Sequence, residues 1–126
     1  MAITHTAGIT FSANNGTPAT FQASQSADGE VNLDVTIAPA ASNFVVVCPI
    51  DASQVKSILM YADAAMTVVT KSSGGSTVDT FTLVANKPLF WQFGFPTSCP
   101  ITGDCATLQV TSTPGGNLKL FVLEDV

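Results

Sequence analysis

The sequence predicts an all-β fold, an antiparallel β-sandwich or jelly roll of about eight strands preceded by an extended N-terminal arm. Three observations carry this. Apolar residues recur with period 2 along most of the chain, no window shows the i, i+3, i+4, i+7 recurrence of a helix face, and turn-forming clusters break the pattern at short intervals. The length, 126 residues, suits a single domain around one core.

Residues 1–27 are read as the arm. They are rich in Thr, Ser and Ala, carry Asn14-Asn15-Gly16 as a turn signal, and pattern weakly, which predicts one or two short strands. Residues 28–126 are read as the sandwich domain. It opens with EVNLDVTI (30–37), where Val31, Leu33, Val35 and Ile37 point one way and Glu30, Asn32, Asp34 and Thr36 the other, giving one wet face. NFVVVC (43–48), VKSILMY (55–61), AMTVVT (65–70), TVDTFTLV (77–84), KPLFWQF (87–93), ATLQVTS (106–112) and NLKLFVLE (117–124) follow, separated by ADGE, APAAS, PIDAS, ADA, KSSGGS, ANKP and TPGG.

Two of these strands are apolar on both faces. In NLKLFVLE, Leu118, Leu120 and Val122 oppose Phe121 and Leu123; in KPLFWQFGF, Leu89, Trp91 and Phe93 oppose Phe90. An antiparallel strand with one solvated side does not need this. Two readings stay open: both faces are covered within the chain, or the second face meets another subunit. Ile3, His5 and Phe11 of the arm, with Phe90, Phe95 and Phe121, are the candidate contact residues. The arm is expected to order against a neighbour.

Composition narrows the function classes. Only 10% of residues are charged, against about 25% in an average soluble domain. Ser and Thr, 27 of the 126 residues, supply uncharged polar cover, while 46% of the chain is apolar, so exposed apolar patches and assembly are expected. The net charge is −5, arginine is absent, and Lys56, Lys71, Lys87 and Lys119 are scattered, which argues against nucleic acid and anionic membranes as partners. MAITHTAGITF lacks a basic segment followed by an apolar run, so no signal peptide is expected. FVVVCPI is too short for a membrane helix.

CPITGDC, residues 99–105, looks most like chemistry. With three cysteines, one histidine and no close C-x2-C pair, a zinc site is poorly supported, and no cofactor is expected. Cys48 reads as a small buried hydrophobe. Cys99 and Cys105 enclose Pro100 and Gly103 and are either a short-loop disulfide or two free thiols. His5, the sole histidine, lies in the weakly patterned arm and reads as an arm or interface residue rather than a catalyst, and Asp28, Glu30 and Asp34 read as a turn and a wet face rather than a calcium site. KSSGGS lacks the GK[ST] ending of a phosphate loop, and Asn15-Gly16-Thr17 is a sequon without an export signal. No enzyme and no small-molecule substrate are expected. The rival reading is a carbohydrate-binding module using Trp91, Phe93 and Phe95 as a platform.

Residues 55–126 resemble the small β-sandwich structural proteins of tailed bacteriophages. The likeness lies in Tyr61-Ala62-Asp63, the run from Met66 to Thr70, Asp79-Thr80, Lys87-Pro88-Leu89 leading to Trp91, and Asp104 before Leu108 to Thr111. It implies a decoration or cement protein on the outer surface of an icosahedral capsid, a homotrimer that binds across major capsid protein subunits and uses no catalytic residue. The contact residues above would then be capsid or subunit contacts. Other tail, fibre or head-completion roles are the neighbouring alternatives.

Overall fold

A computed structural model describes residues 2–12, 14 and 16–125. Ten strands follow in chain order: β1 (Ile3–Phe11), β2 (Ala19–Ala27), β3 (Gly29–Ile37), β4 (Ala41–Ile50), β5 (Val55–Ala62), β6 (Met66–Lys71), β7 (Thr77–Leu83), β8 (Leu89–Gln92), β9 (Cys105–Ser112) and β10 (Gly116–Glu124). One 3-10 turn, Ala52–Gln54, precedes β5, and Asp51 caps it by accepting the Ser53 N–H.

The last eight strands make two four-stranded antiparallel sheets, ordered β3-β10-β5-β8 and β4-β9-β6-β7. This interleaving is that of a jelly roll, so the all-β sandwich expected from periodicity is the fold. The two sheets bury a single core. Ile58, Met60, Leu118, Leu120 and Val122 from the first meet Val68, Leu108 and Val110 from the second, all fully buried. Each burial of this kind is worth roughly 1.5–3 kcal/mol. The Ser112–Gly116 connection needs glycine. Gly115 has φ +72°, and a Cβ there would lie 2.6 Å from the Pro39 nitrogen, so this turn and the β3–β4 turn pack backbone to backbone.

The arm is more ordered than its pattern suggested. β1 and β2 form a nine-residue antiparallel hairpin, pairing Ile3 with Ala27 through to Phe11 with Ala19, and it lies on the outer face of the β3-β10-β5-β8 sheet of its own chain. Asn15, of the sequon, lies outside the described residues.

The end of the sandwich near the 3-10 turn is acidic. Glu124 is buried and accepts the Asp51 N–H at 3.1 Å. Burial pushes its carboxyl above the ordinary 4.5; the Asp51 N–H bond opposes this, and the Asp51 and Asp104 charges add to the rise. A raised folded-state value contributes stability that is complete below the unfolded value and is lost as pH rises through the folded one. Glu124→Gln should therefore raise the unfolding midpoint at neutral pH, and the gain should vanish on acidification below 4.5 in urea titrations across pH. Leu120→Ala, fully buried on the central strand β10, should cost about 2–5 kcal/mol in the same assay.

Candidate functional site

The outer face of the β3-β10-β5-β8 sheet is built from alternate residues that point away from the core. Register aligns Glu30 with Leu123 and Ser57, and Asn32 with Phe121 and Leu59. On β8, Gln92 stands beside Ser57 and Phe90 beside Leu59. This is the second apolar face read from the sequence, and β1–β2 covers it.

Alternation divides the hairpin in the same way. Thr4 bonds Ser26 at 2.8 Å and Thr6 bonds Ser24 at 3.1 Å, forming a ladder of exposed hydroxyls on one side. Ile3, His5, Ala7 and Ile9, paired with Ala27, Gln25, Ala23 and Phe21, share the other side, toward the sheet. His5 is the main fastening: its Nε2 lies 2.8 Å from Glu30 Oε2 and its Nδ1 3.2 Å from Ser57 Oγ. In the tautomer this carboxylate selects, Nε2–H donates to Glu30 and Nδ1 accepts from the Ser57 hydroxyl. Gln25 adds a bond to the Phe93 carbonyl at 3.1 Å. Hydroxyl, imidazole and carboxylate stand in the order of a nucleophilic triad, but Ser57 is only 2% exposed beneath the hairpin, so the linkage acts as a latch.

Behind the latch the hairpin presents Ala7 and Gly8, too small to reach the sheet, and a cleft of about 590 Å3 remains between the layers. Leu59, Phe90 and Phe121 form its apolar floor, and Gln92 closes one end. Gln92 is 1% exposed, and neither its amide nitrogen nor its amide oxygen has a partner among the described residues.

Of the six residues read as candidate contacts, the structure gathers five where the hairpin meets its own sheet and leaves Phe11 apart. Ile3 and His5 are half-buried against the sheet, Phe90 and Phe121 line the cleft, and Phe95 packs edge-on to both Phe21 and Phe90 at 5.7 and 5.5 Å. Phe11 stands free near the hairpin tip, 76% exposed. An aromatic platform of Trp91, Phe93 and Phe95 does not form. Trp91 points into the core and donates to the Thr97 carbonyl at 2.8 Å, whereas Phe93 lies past the end of β8 with Lys56 Nζ 4.4 Å from its ring centre.

CPITGDC is a loop tied down by acids. Asp79 accepts from the Thr102 N–H and hydroxyl, and Asp104 accepts the Ala52 N–H. Its cysteines carry free thiols in this structure, as does Cys48. Cys105 Sγ donates to the Cys48 carbonyl at 3.4 Å. Burial pushes the Cys48 thiol up to about 12, with Cys105 and Glu124 adding to it, and burial raises Cys99 and Cys105 as well. None is an activated nucleophile. No group of three His, Cys, Asp or Glu side chains that could hold a metal occurs among the described residues.

Sequence reading missed a second surface. Strand β4 is an edge of the β4-β9-β6-β7 sheet and exposes Phe44 (47%), Val45 (55%) and Val47 (76%). Val45 and Val47 continue outward rows through Gln109 and Thr107 on β9 to Val69 and Lys71 on β6 and Thr80 and Thr77 on β7. Those rows hold no acid, and their lysine is bonded to Thr77 at 2.7 Å. The signal was the run FVVV, apolar at both parities.

No family model matches the chain, and no curated protein matches it. Among solved structures, it is similar to a chain of the disulfide-linked pili that form Bacillus endospore appendages, with TM-score 0.42 and 15% identity over 75% of this chain and 82% of that one. It is also similar to a chain in the structure of the infectious bursal disease virus Gx strain, with TM-score 0.37 and 14% identity over 90% of this chain and 36% of that one.

Two outcomes follow from this geometry. His5→Ala leaves Ser57 and Glu30 without their shared partner, a loss of roughly 1–3 kcal/mol, so amide exchange should accelerate in β1 and β2 while the core strands stay protected. In thiol titration of the native protein Cys99 should react first. Three thiols should appear in denaturant, or a single one if Cys99 and Cys105 have closed a disulfide.

Proposed function

We propose that the protein is a non-enzymatic structural subunit that works in many copies, as a virion component decorating an icosahedral capsid. One observation carries this: an apolar edge strand, β4, bordering a sheet face of Val, Thr and Gln with no acid on it. The chain is acidic overall, with net charge −5, so two copies repel wherever their carboxylates face each other. The β4-β9-β6-β7 face escapes that penalty. An exposed strand edge also offers unpaired backbone groups to a neighbour.

The capsid setting rests on the resemblance of residues 55–126 to phage β-sandwich proteins. On this reading the protein forms a homotrimer and cements neighbouring major capsid protein subunits from outside. Contacts of this kind gain strength from buried apolar area and from repetition rather than from any single bond.

Val47→Glu places a charge on the exposed edge without touching the core. It should weaken self-association at least about tenfold, equivalent to ~1.4 kcal/mol, in sedimentation velocity, with the unfolding midpoint unchanged. Quantitative mass spectrometry of purified particles should count hundreds of copies for capsid decoration. A few dozen copies or fewer would indicate a tail or vertex position, and none would overturn the virion reading.

A further inference from the structure

We infer that the cleft between the β1–β2 hairpin and its sheet binds a neutral saccharide. The starting point is Gln92. A fully buried carboxamide with both its donor and its acceptor unpartnered is costly, and native interiors rarely keep one without a reason. It borders a cleft of about 590 Å3, within the ~300–1,000 Å3 usual for small-ligand sites.

Charge, then shape, selects the occupant. No lysine or arginine lines the cleft, and its imidazole, His5, is taken up by the Glu30 carboxylate, so carboxylated, sulfated and phosphorylated ligands find no free cation there. A neutral ligand is required. The Gln92 amide presents a donor and an acceptor side by side, which adjacent hydroxyls on a sugar ring satisfy together, each being donor and acceptor at once. Phe90 and Phe121 offer aromatic surface for the C–H face of such a ring. Polar groups also stand apart around the cleft, with His5 on the hairpin and Asn32 and Ser57 on the sheet. That distribution suits a ligand with hydroxyls on several sides, whereas a nucleobase concentrates its polar atoms on its edges and an alkyl chain has none.

The site is distinct from the assembly surface, because it lies on the opposite sheet; either reading can fail while the other stands. The test is full-length protein on a printed array of neutral and acidic glycans, followed by ligand-observed NMR with free glucose, galactose, mannose and N-acetylglucosamine, and with adenosine and N-acetylneuraminic acid as controls. Binding of at least one neutral sugar is expected, weakened tenfold or more by Gln92→Leu and unaffected by Ser73→Ala on the distant β6–β7 turn. Asn32→Ala, on an exposed edge position, provides a second variant with little bearing on folding and should also weaken binding. Gln92→Leu should at the same time raise the unfolding midpoint of the sugar-free protein, since it removes the unpartnered amide. Failure of every neutral glycan to bind, preference for the acidic sugar or the nucleoside, or binding that survives both cleft substitutions would overturn the proposal.

Discussion

A jelly-roll sheet has two faces, and in this chain the β3-β10-β5-β8 sheet carries large apolar side chains on both. Its inner face meets the opposing sheet; its outer face carries Leu123, Phe121, Leu59 and Phe90, which water would solvate poorly. Covering that outer face is the constraint that places the hairpin, and the hairpin in turn buries Ser57 and encloses the cleft. Direction comes from polar groups within the apolar field. His5 joins Glu30 on one edge strand to Ser57 near the middle of the sheet, and a shift of one residue would turn it to the solvent side and break both bonds.

The two sheets are therefore unequal. One is capped from its own chain and keeps a lined cavity; the other shows solvent a nearly uncharged face that ends in the exposed valines of β4. Acids gather elsewhere, on the outer side of β3 and at the end bearing Asp51, Asp104, Glu124 and Asp125. A chain with so few charges has distributed them so that one broad surface is left clear of like-sign repulsion. The division is physical, and it separates a surface suited to contact between proteins from a compartment suited to a small molecule.

All eight sandwich strands were legible, most because large inward residues alternate with polar ones, and β4, β8 and β10 because short apolar runs there are bounded by turn signals. The hairpin was not. Its sheet-facing row includes Ala7, Ala23, Gln25 and His5, so the hydrophobic period is diluted by small and polar residues, while the hydroxyl pairs that knit it are set by cross-strand register. That Phe90 and Phe121 face away from the core could be read from parity; what covers them could not, since the partner lies far off in sequence. Phe93 misleads because β8 stops at Gln92 and Gly94 turns the chain with φ +92°. The acid ties that hold CPITGDC join Asp79 to Thr102 and Asp104 to Ala52, separations that no local window contains.

Chain order adds a consequence for biogenesis. The hairpin is synthesised before the sandwich, yet its seat is assembled from β5, β8 and β10, and β10 is the last strand of the sandwich. A two-stranded hairpin is marginal by itself in water. During translation this segment must therefore wait, unpaired with its platform, until nearly the whole domain has been made. Its Ser- and Thr-rich composition suits that interval, keeping the waiting strands soluble where a more aliphatic cover would invite premature association between nascent chains.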